Sequence, residues 1–302
     1  MERIGTYVNG NTIVAIYDDG TKKRYIRENE TPEPEFPESI DLKITNACDL
    51  GCTICAERSC DTGRHADLNN PILDTIKPYT ELAIGGGNPL EHPYLESFLN
   101  RMYQQHVICN ITVNIEHFMR DDMYEKLRRL TKQGLIHGLG ISTPNHLVDG
   151  FFDKVKDFPN VVIHTIAGYT PMKVFKELED HKLNLLILGY KVKGKGAEYI
   201  GKYFDNIVNN NNVLSDNLAE MFDHFKGIAF DNLAVHQLSL RHIVPPNYFN
   251  EMYMGDDGEF TMYIDLVEEK FGISSSHELY PIEGEHYIST LFQEVRKWKT
   301  GA

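Results

Sequence analysis

The sequence predicts an α/β protein built on a parallel sheet, with a small β-meander in front and a hairpin plus helix behind. Three observations predict it. From residue 39 to about 190, short apolar strand-like segments alternate with segments whose apolar residues recur at helical spacing. Two loops rich in chemistry, one of cysteines and one of glycines, each follow such a strand directly, as ligand-binding loops of parallel sheets do. A chain of 302 residues with 41% hydrophobic content can bury one sizeable core with small appendages.

Residues 3–25 read as the meander. Asn9-Gly10 is a type I′ hairpin signal and Asp19-Gly20 a second turn. The acidic, proline-rich stretch Glu30–Glu38 suits an extended linker. The expected regions are therefore a meander (1–29), a linker (30–38), a main domain (39–244) and a C-terminal extension (245–302).

Within the main domain the predicted strands are Ile40–Thr45, Leu82–Gly85, Ile108–Val113, Leu139–Ser142, Val161–Ile166 and Leu183–Leu188. Leu95, Phe98, Leu99, Met102 and Tyr103 mark one intervening helix. Met123, Leu127 and Leu130 mark another, which begins at Asp121-Asp122 and stops at Gly134. Thr170-Pro171 reads as an N-cap followed by proline at the first helical position. Six β-α units imply a parallel sheet whose ligands gather at the strands' C-terminal ends. Residues 196–225 read as helix and Gly227–Phe230 as one more strand.

Beyond Pro245-Pro246, the turn Gly255-Asp256-Asp257-Gly258 leads into an alternating strand, Phe260, Met262, Ile264 and Leu266. It is expected to pair with Phe271–Ser274, and the segment 255–276 to wall a substrate pocket while covering the edge of the last strand. Tyr263 and Asp265 are the candidate side chains there. His286–Lys299 reads as a core-packing helix with Ile288, Leu291, Phe292, Val295 and Trp298 on one face.

The net charge of −14, with no basic run, argues against general nucleic-acid binding. No apolar run reaches the ~18 residues of a membrane span, and Met1–Gly5 opens no secretory segment, so no membrane association and a cytoplasmic location are expected. Four of the five cysteines lie between positions 48 and 60, which speaks for a reducing compartment rather than a disulfide scaffold. Scattered histidines, with no HExxH, GxSxG or Walker pattern, exclude the usual zinc-hydrolase, serine-hydrolase and phosphoryl-transfer classes.

Cys48, Cys52 and Cys55 stand in a CxxxCxxC run directly after a predicted strand. Three soft thiolates on one loop can hold an iron–sulfur cluster while leaving one iron without a protein ligand. Two other assignments fit the same residues: a zinc knuckle closed by Cys60 or His65, and a closed cluster with Cys60 as fourth ligand. The second motif, Gly85-Gly86-Gly87-Asn88-Pro89, follows the strand Glu81–Ile84. Residues without side chains let the main chain approach a ligand closely.

Together the two motifs resemble the radical S-adenosylmethionine (radical SAM) enzymes of single-cluster type, over roughly residues 38–190. The resemblance implies a partial (β/α)6 TIM-type barrel, a [4Fe–4S] cluster on Cys48, Cys52 and Cys55, and S-adenosylmethionine (SAM) chelating the open iron. In that family the reduced cluster cleaves SAM to a 5′-deoxyadenosyl radical, which abstracts hydrogen from a substrate. Gly86, Gly87 and Asn88 would receive the methionine end of SAM, with an amide at Asn88 where the family usually has a carboxylate. Asn114, Ser142 and His164 would meet ribose and adenine. A flavodoxin- or ferredoxin-type electron donor is implied too. The substrate stays open among peptide, nucleotide and small metabolite, and no catalytic side chain is assigned. The rival from another class is a non-catalytic iron–sulfur or zinc protein, a redox sensor or binding module. Cys109, in an apolar strand, reads as a buried small hydrophobe, and Lys191–Gly196 as either a solvated turn or a contact to an acidic group.

Overall fold

The computed structural model describes residues 1–284 and 287–300, with the backbone alone at 300. Strands β1 (Arg3–Asn9), β2 (Thr12–Tyr17) and β3 (Lys22–Tyr25) form the antiparallel meander. Its first turn is shifted by one residue from expectation. Asn9 pairs with Thr12, so Gly10 and Asn11 are the central residues, and Gly10 supplies the left-handed φ of +61°. Asn9 has another task. Its buried amide donates to the Phe36 carbonyl (2.9 Å) and accepts from the Glu35 and Phe36 N–H groups (2.8 and 3.1 Å). The acidic stretch is thereby pinned to the meander, and Arg24 pairs with Glu38 at its end (2.9 Å).

The main sheet contains β4 (Ser39–Thr45), β5 (Glu81–Gly86), β6 (Ile108–Asn114), β7 (Gly138–Ser142), β8 (Val161–Ile166), β9 (Asn184–Leu188) and β10 (Gly227–Phe230). They lie parallel and in sequence order. This is a partial TIM-type barrel in which β10 adds a seventh parallel strand to the six β-α units. The helices are α1 (Leu95–Gln104), α2 (Ile115–Met119), α3 (Asp121–Lys132), α4 (Phe151–Val155), α5 (Met172–Leu178), α6 (Lys195–Met221), α7 (Asn232–Gln237), α8 (Leu240–Ile243) and α9 (Pro246–Met252). Alternate strand residues such as Ile40, Leu42, Ile44, Ile111, Val113 and Ile163 share one core with Phe98, Phe118, Leu127 and Phe175 of the helices. Cys109 sits in the same core, where burial pushes its thiol up to about 12. α5 begins after Pro171, one residue later than expected. The Thr170 hydroxyl instead accepts from Ile166 N–H at 2.8 Å, closing the turn before the helix.

The C-terminal hairpin forms as expected, from β11 (Thr261–Asp265) and β12 (Lys270–Gly272), but it covers a different edge. β11 runs parallel to β4, the first barrel strand, and not beside the last one. β13 (Tyr280–Pro281) pairs with β12. The charges explain the choice. Lys43 on β4, buried, donates to Asp265 on β11 (2.8 Å) and to Glu57 (2.7 Å), so this edge supplies the ammonium that Asp265 needs. α10 (Ile288–Thr300) buries Ile288, Leu291, Phe292 and Val295 and stacks Trp298 on Phe271 and Tyr280. Its expected start at His286 lies outside the described residues. Among the described residues no helix is long and apolar enough to cross a membrane.

Burial pulls the Lys43 pKa down, but the hydrogen bonds to Asp265 and Glu57 outweigh it and leave the pKa raised. Removing this ammonium strands two carboxylates, a loss of about 3–5 kcal/mol for a buried pair. Lys43→Met is therefore expected to lower the unfolding free energy, read from a denaturant titration, by that amount. Stability within about 0.5 kcal/mol of the parent, the range of neutral surface changes, would show that the triad does not hold the hairpin.

Candidate functional site

β4 ends at Thr45 and releases the cysteine loop. The loop is folded against its own base. Cys48 N–H donates to the Cys60 carbonyl (2.8 Å), Cys60 N–H to Asn46 (3.1 Å), and Asn46 N–H to Arg64 (2.8 Å). The Thr45 hydroxyl receives Ala47 N–H and meets His65 Nδ1 at 2.8 Å. Cys48, Cys52 and Cys55 are half-buried free thiols, whereas Cys60 is exposed, its sulfur beside the Thr62 hydroxyl at 3.5 Å. Burial raises the Cys48 thiol, the Leu50 N–H opposes, and the nearby Cys52 and Cys55 raise it further. Burial and then Cys55 raise Cys52. Cys48 and Cys52 thus feel the charge of the neighbouring sulfurs.

Asp49, inside the motif, is the loop's anchor to the barrel. Its carboxylate accepts from His117 Nε2 (2.8 Å) and Arg120 Nη1 (2.7 Å), and these bonds hold its pKa down at about 2. Cys48, Asp49 and His117 could in geometry share a metal ion. Both Asp49 oxygens and the His117 nitrogen are already spent on each other and on Arg120, which marks them as a clamp. His65, the other zinc candidate, is bonded to Thr45 and packs edge-on against His92 at 4.9 Å.

The glycine motif lies directly against the cysteine loop. Gly87 N–H donates to the Thr45 carbonyl and Asn88 N–H to the Ala47 carbonyl, both at 2.7 Å. A Cβ on Gly86 would stand 2.3 Å from Thr45 O, and one on Gly87 2.1 Å from Ala47 O. Absent side chains here let two backbones meet. Asn88 is turned inward and fully buried. Its Oδ1 accepts from Leu90 N–H (3.2 Å) and its Nδ2 donates to Glu91 (3.0 Å), so the amide shapes the following turn. What the motif leaves open is the partly exposed backbone of Gly85–Gly87.

Asn114, Ser142 and His164 fall in one register row across β6, β7 and β8, at the same end of the sheet. The Asn114 oxygen caps α2 by accepting from Glu116 N–H at 3.0 Å. The His164 ring lies over Gly140, where a Cβ would meet it at 2.5 Å, and burial pushes its pKa down to about 4. The imidazole is therefore neutral near pH 7, with one donor and one acceptor nitrogen.

Sequence reasoning left the contacts of one named set of residues unassigned and missed part of a second set. Lys191–Gly196 is neither a free turn nor an open cationic patch. Lys195 N–H donates to the Cys55 carbonyl (3.0 Å), and Gly194 approaches Cys55 and Ala56 so closely that a Cβ would sit 2.3 Å from Ala56 O. Lys191 and Lys193 bond to Ser275 (2.7 and 3.1 Å), tying β9 to the hairpin. The second set lines the lumen. Asp41, Lys43 and Thr45 alternate with the buried Ile40, Leu42 and Ile44, and Tyr263 and Asp265 stand beside Asp41 and Lys43 in register. Their signal was present: a strand covered on both faces reads as a continuous apolar run, and β4 alternates instead.

No family model and no curated protein matches the chain. Solved structures of similar fold exist. Streptococcus suis SuiB bound to S-adenosylmethionine superposes with a TM-score of 0.57 at 14% identity, over 88% of this chain and 68% of that one. SuiB bound to the precursor peptide SuiA gives 0.52 at 16% identity, over 79% of this chain; the match spans 59% of SuiB. At these identities the likeness is one of fold.

Two outcomes follow from the geometry. Gly87→Ala must force the glycine and cysteine loops apart, at a cost of about 1–3 kcal/mol, whereas Gly85→Ala meets nothing within 4 Å and should be silent in the same thermal melts. Equal melting points would contradict the close approach. For His164, the unfolded chain binds its proton near pH 6.5 and the folded one only near 4, so stability is full above that window and falls as pH drops through it. His164→Gln should flatten this acid limb. A limb unchanged in slope would assign it to other groups.

Proposed function

We propose that this chain is a radical SAM enzyme. One observation carries the reading: three free cysteines on one loop are hydrogen-bonded at their base to a glycine loop, at the C-terminal mouth of a partial barrel. The donor set fits a [4Fe–4S] cluster. The half-buried thiols of Cys48 and Cys52, whose pKa is raised, would be relieved by iron, which binds the thiolate form, and three cysteine ligands leave one iron for an outside group. With SAM bound there, the reduced cluster would supply the electron that cleaves SAM, and the SAM-derived fragment would abstract hydrogen from the substrate. The fold shared with SAM-bound SuiB supports this cofactor, and the peptide-bound complex favours a peptide among the substrate classes left open.

The chain's own residues hold and shield. Cys48, Cys52 and Cys55 bind the cluster, while Asp49, His117 and Arg120 keep their loop on the barrel. The open backbone at Gly86 and Gly87 takes the methionine end of SAM. Asn88 acts as a positioning residue, because its amide is consumed inside the turn. Ser142 and the neutral His164 face the nucleoside, with Asn114 framing the same row. Lys195 and Gly194 brace the cysteine loop from the β9 side. A flavodoxin- or ferredoxin-type protein in a reducing cytoplasm would deliver the electron.

Anaerobically reconstituted protein is expected to carry about four irons and four sulfides per chain, and to form 5′-deoxyadenosine from SAM and dithionite. Cys52→Ser should lose both properties, and Cys60→Ser should keep both. One zinc without sulfide would favour a non-catalytic metal protein. A Cys60→Ser variant as iron-poor as Cys52→Ser would mean a closed four-cysteine cluster and no radical chemistry.

A further inference from the structure

We infer that the barrel lumen anchors its substrate through a cationic nitrogen, held by the Asp41 carboxylate and the Tyr263 phenol oxygen. The inference rests on the radical SAM reading only for where the reacting atoms lie. It stands on three features of the lumen.

Asp41 occupies the middle of β4, flanked in sequence by the buried Ile40 and Leu42, yet it is exposed to solvent. A central strand residue on the face away from the helices reaches water only through the lumen. Among the described residues its carboxylate makes neither a hydrogen bond nor an ion pair, unlike Lys43 and Asp265 one row above. A carboxylate placed there without a structural partner has no role in holding the fold.

Tyr263 is the second feature. It stands directly beside Asp41 in the β4–β11 register, is only 5% exposed, and its phenol oxygen has no hydrogen-bond partner among the described residues. Burial, then the charges of Glu57, Asp265 and Asp41, raise its pKa, so it remains a hydroxyl aimed among these acids. An unsatisfied buried hydroxyl costs free energy that a ligand can return.

The third feature is the charge balance. Enclosure by the barrel walls, although solvent reaches the side chain through the lumen, raises the Asp41 pKa; Lys191 opposes this, and Asp257 and Asp231 raise it further. Asp231 accepts from the Gly189 and Ala234 N–H groups, Asp257 from Asn232, and Lys191 donates to Ser275. All three have structural work. Around Asp41, below the paired Lys43, three carboxylates against one ammonium leave the lumen short of positive charge, and an incoming ammonium or guanidinium corrects it. Asp41 lies about 13 Å below the end of β4 at ~3.3 Å per residue. A substrate held there by a basic side chain would present its remaining atoms towards the cysteine mouth.

The test uses the full chain with its cluster reconstituted, and n-pentylammonium as probe in ligand-observed NMR. Saturable binding is expected in the parent, with no displacement by 1-pentanol. Asp41→Asn should weaken it about 10- to 100-fold and Tyr263→Phe by about tenfold or less, as for charge-assisted and neutral hydrogen bonds. No saturable binding, equal binding of pentanol, or unchanged affinity in Asp41→Asn would overturn the inference. Should Asp41→Asn fail to fold, Tyr263→Phe decides, since its hydroxyl makes no bond in the free protein; unchanged affinity there also overturns it. The probe needs no turnover. A parent that binds pentylammonium but forms no 5′-deoxyadenosine would therefore discard the catalytic reading and leave the anchor standing.

Discussion

One buried ammonium joins the parts of this protein that matter for its chemistry. Lys43 sits on the first barrel strand, Asp265 on the hairpin strand and Glu57 two residues beyond Cys55. The same three groups fix which edge the hairpin covers, close one wall of the lumen and hold the end of the cysteine loop. Such a cluster contributes little net stability over an apolar packing of equal volume, because desolvation offsets most of the attraction. Its value lies in geometry. An apolar contact would tolerate a strand shifted in register, whereas an ammonium shared by two carboxylates does not.

The loops above the lumen obey a related constraint, close approach of backbones. Gly86 and Gly87 allow the β5 loop to hydrogen-bond to Thr45 and Ala47, and Gly194 allows the β9 loop to reach Cys55 and Ala56. The cysteine loop is thus gripped from both neighbouring directions and from below by Asp49. A loop that must present three sulfurs to one cluster gains from such bracing, since its ligands are then set before the metal arrives. The glycines so serve the protein's own packing first, and whatever ligand approach they permit depends on it.

Much of this was legible in the sequence. The six barrel strands lie within a residue or so of their expected bounds, because each is a short apolar or alternating run closed by polar or glycine punctuation. The hairpin at 261–272 and the core face of α10 followed from alternation and helical spacing in the same way. Missed were facts that depend on residues far apart in the chain. Nothing local says that Asp265 will meet Lys43, so the hairpin's edge was misplaced. Asn9 was read as a turn residue because its bonds to residues 35 and 36 are not local. Asn88 was expected to face a ligand, and only tertiary structure shows its amide closing the turn at Leu90 and Glu91.

The alternation along β4 carries the last step. An inner row of Asp41, Lys43 and Thr45 keeps the lumen polar, and open to solvent at Asp41, where an apolar row would have filled it. Water in a lumen is displaced when a substrate enters, and every polar group it leaves must find a partner in the substrate. Lys43 and Thr45 already have theirs within the protein. Asp41 and the Tyr263 hydroxyl do not. Selectivity then follows from the cost of leaving them unpaired: a neutral apolar guest would strip water from a carboxylate and return nothing, whereas a basic one replaces the lost hydration with a direct bond. The same two groups that do nothing for the empty fold decide what can fill it.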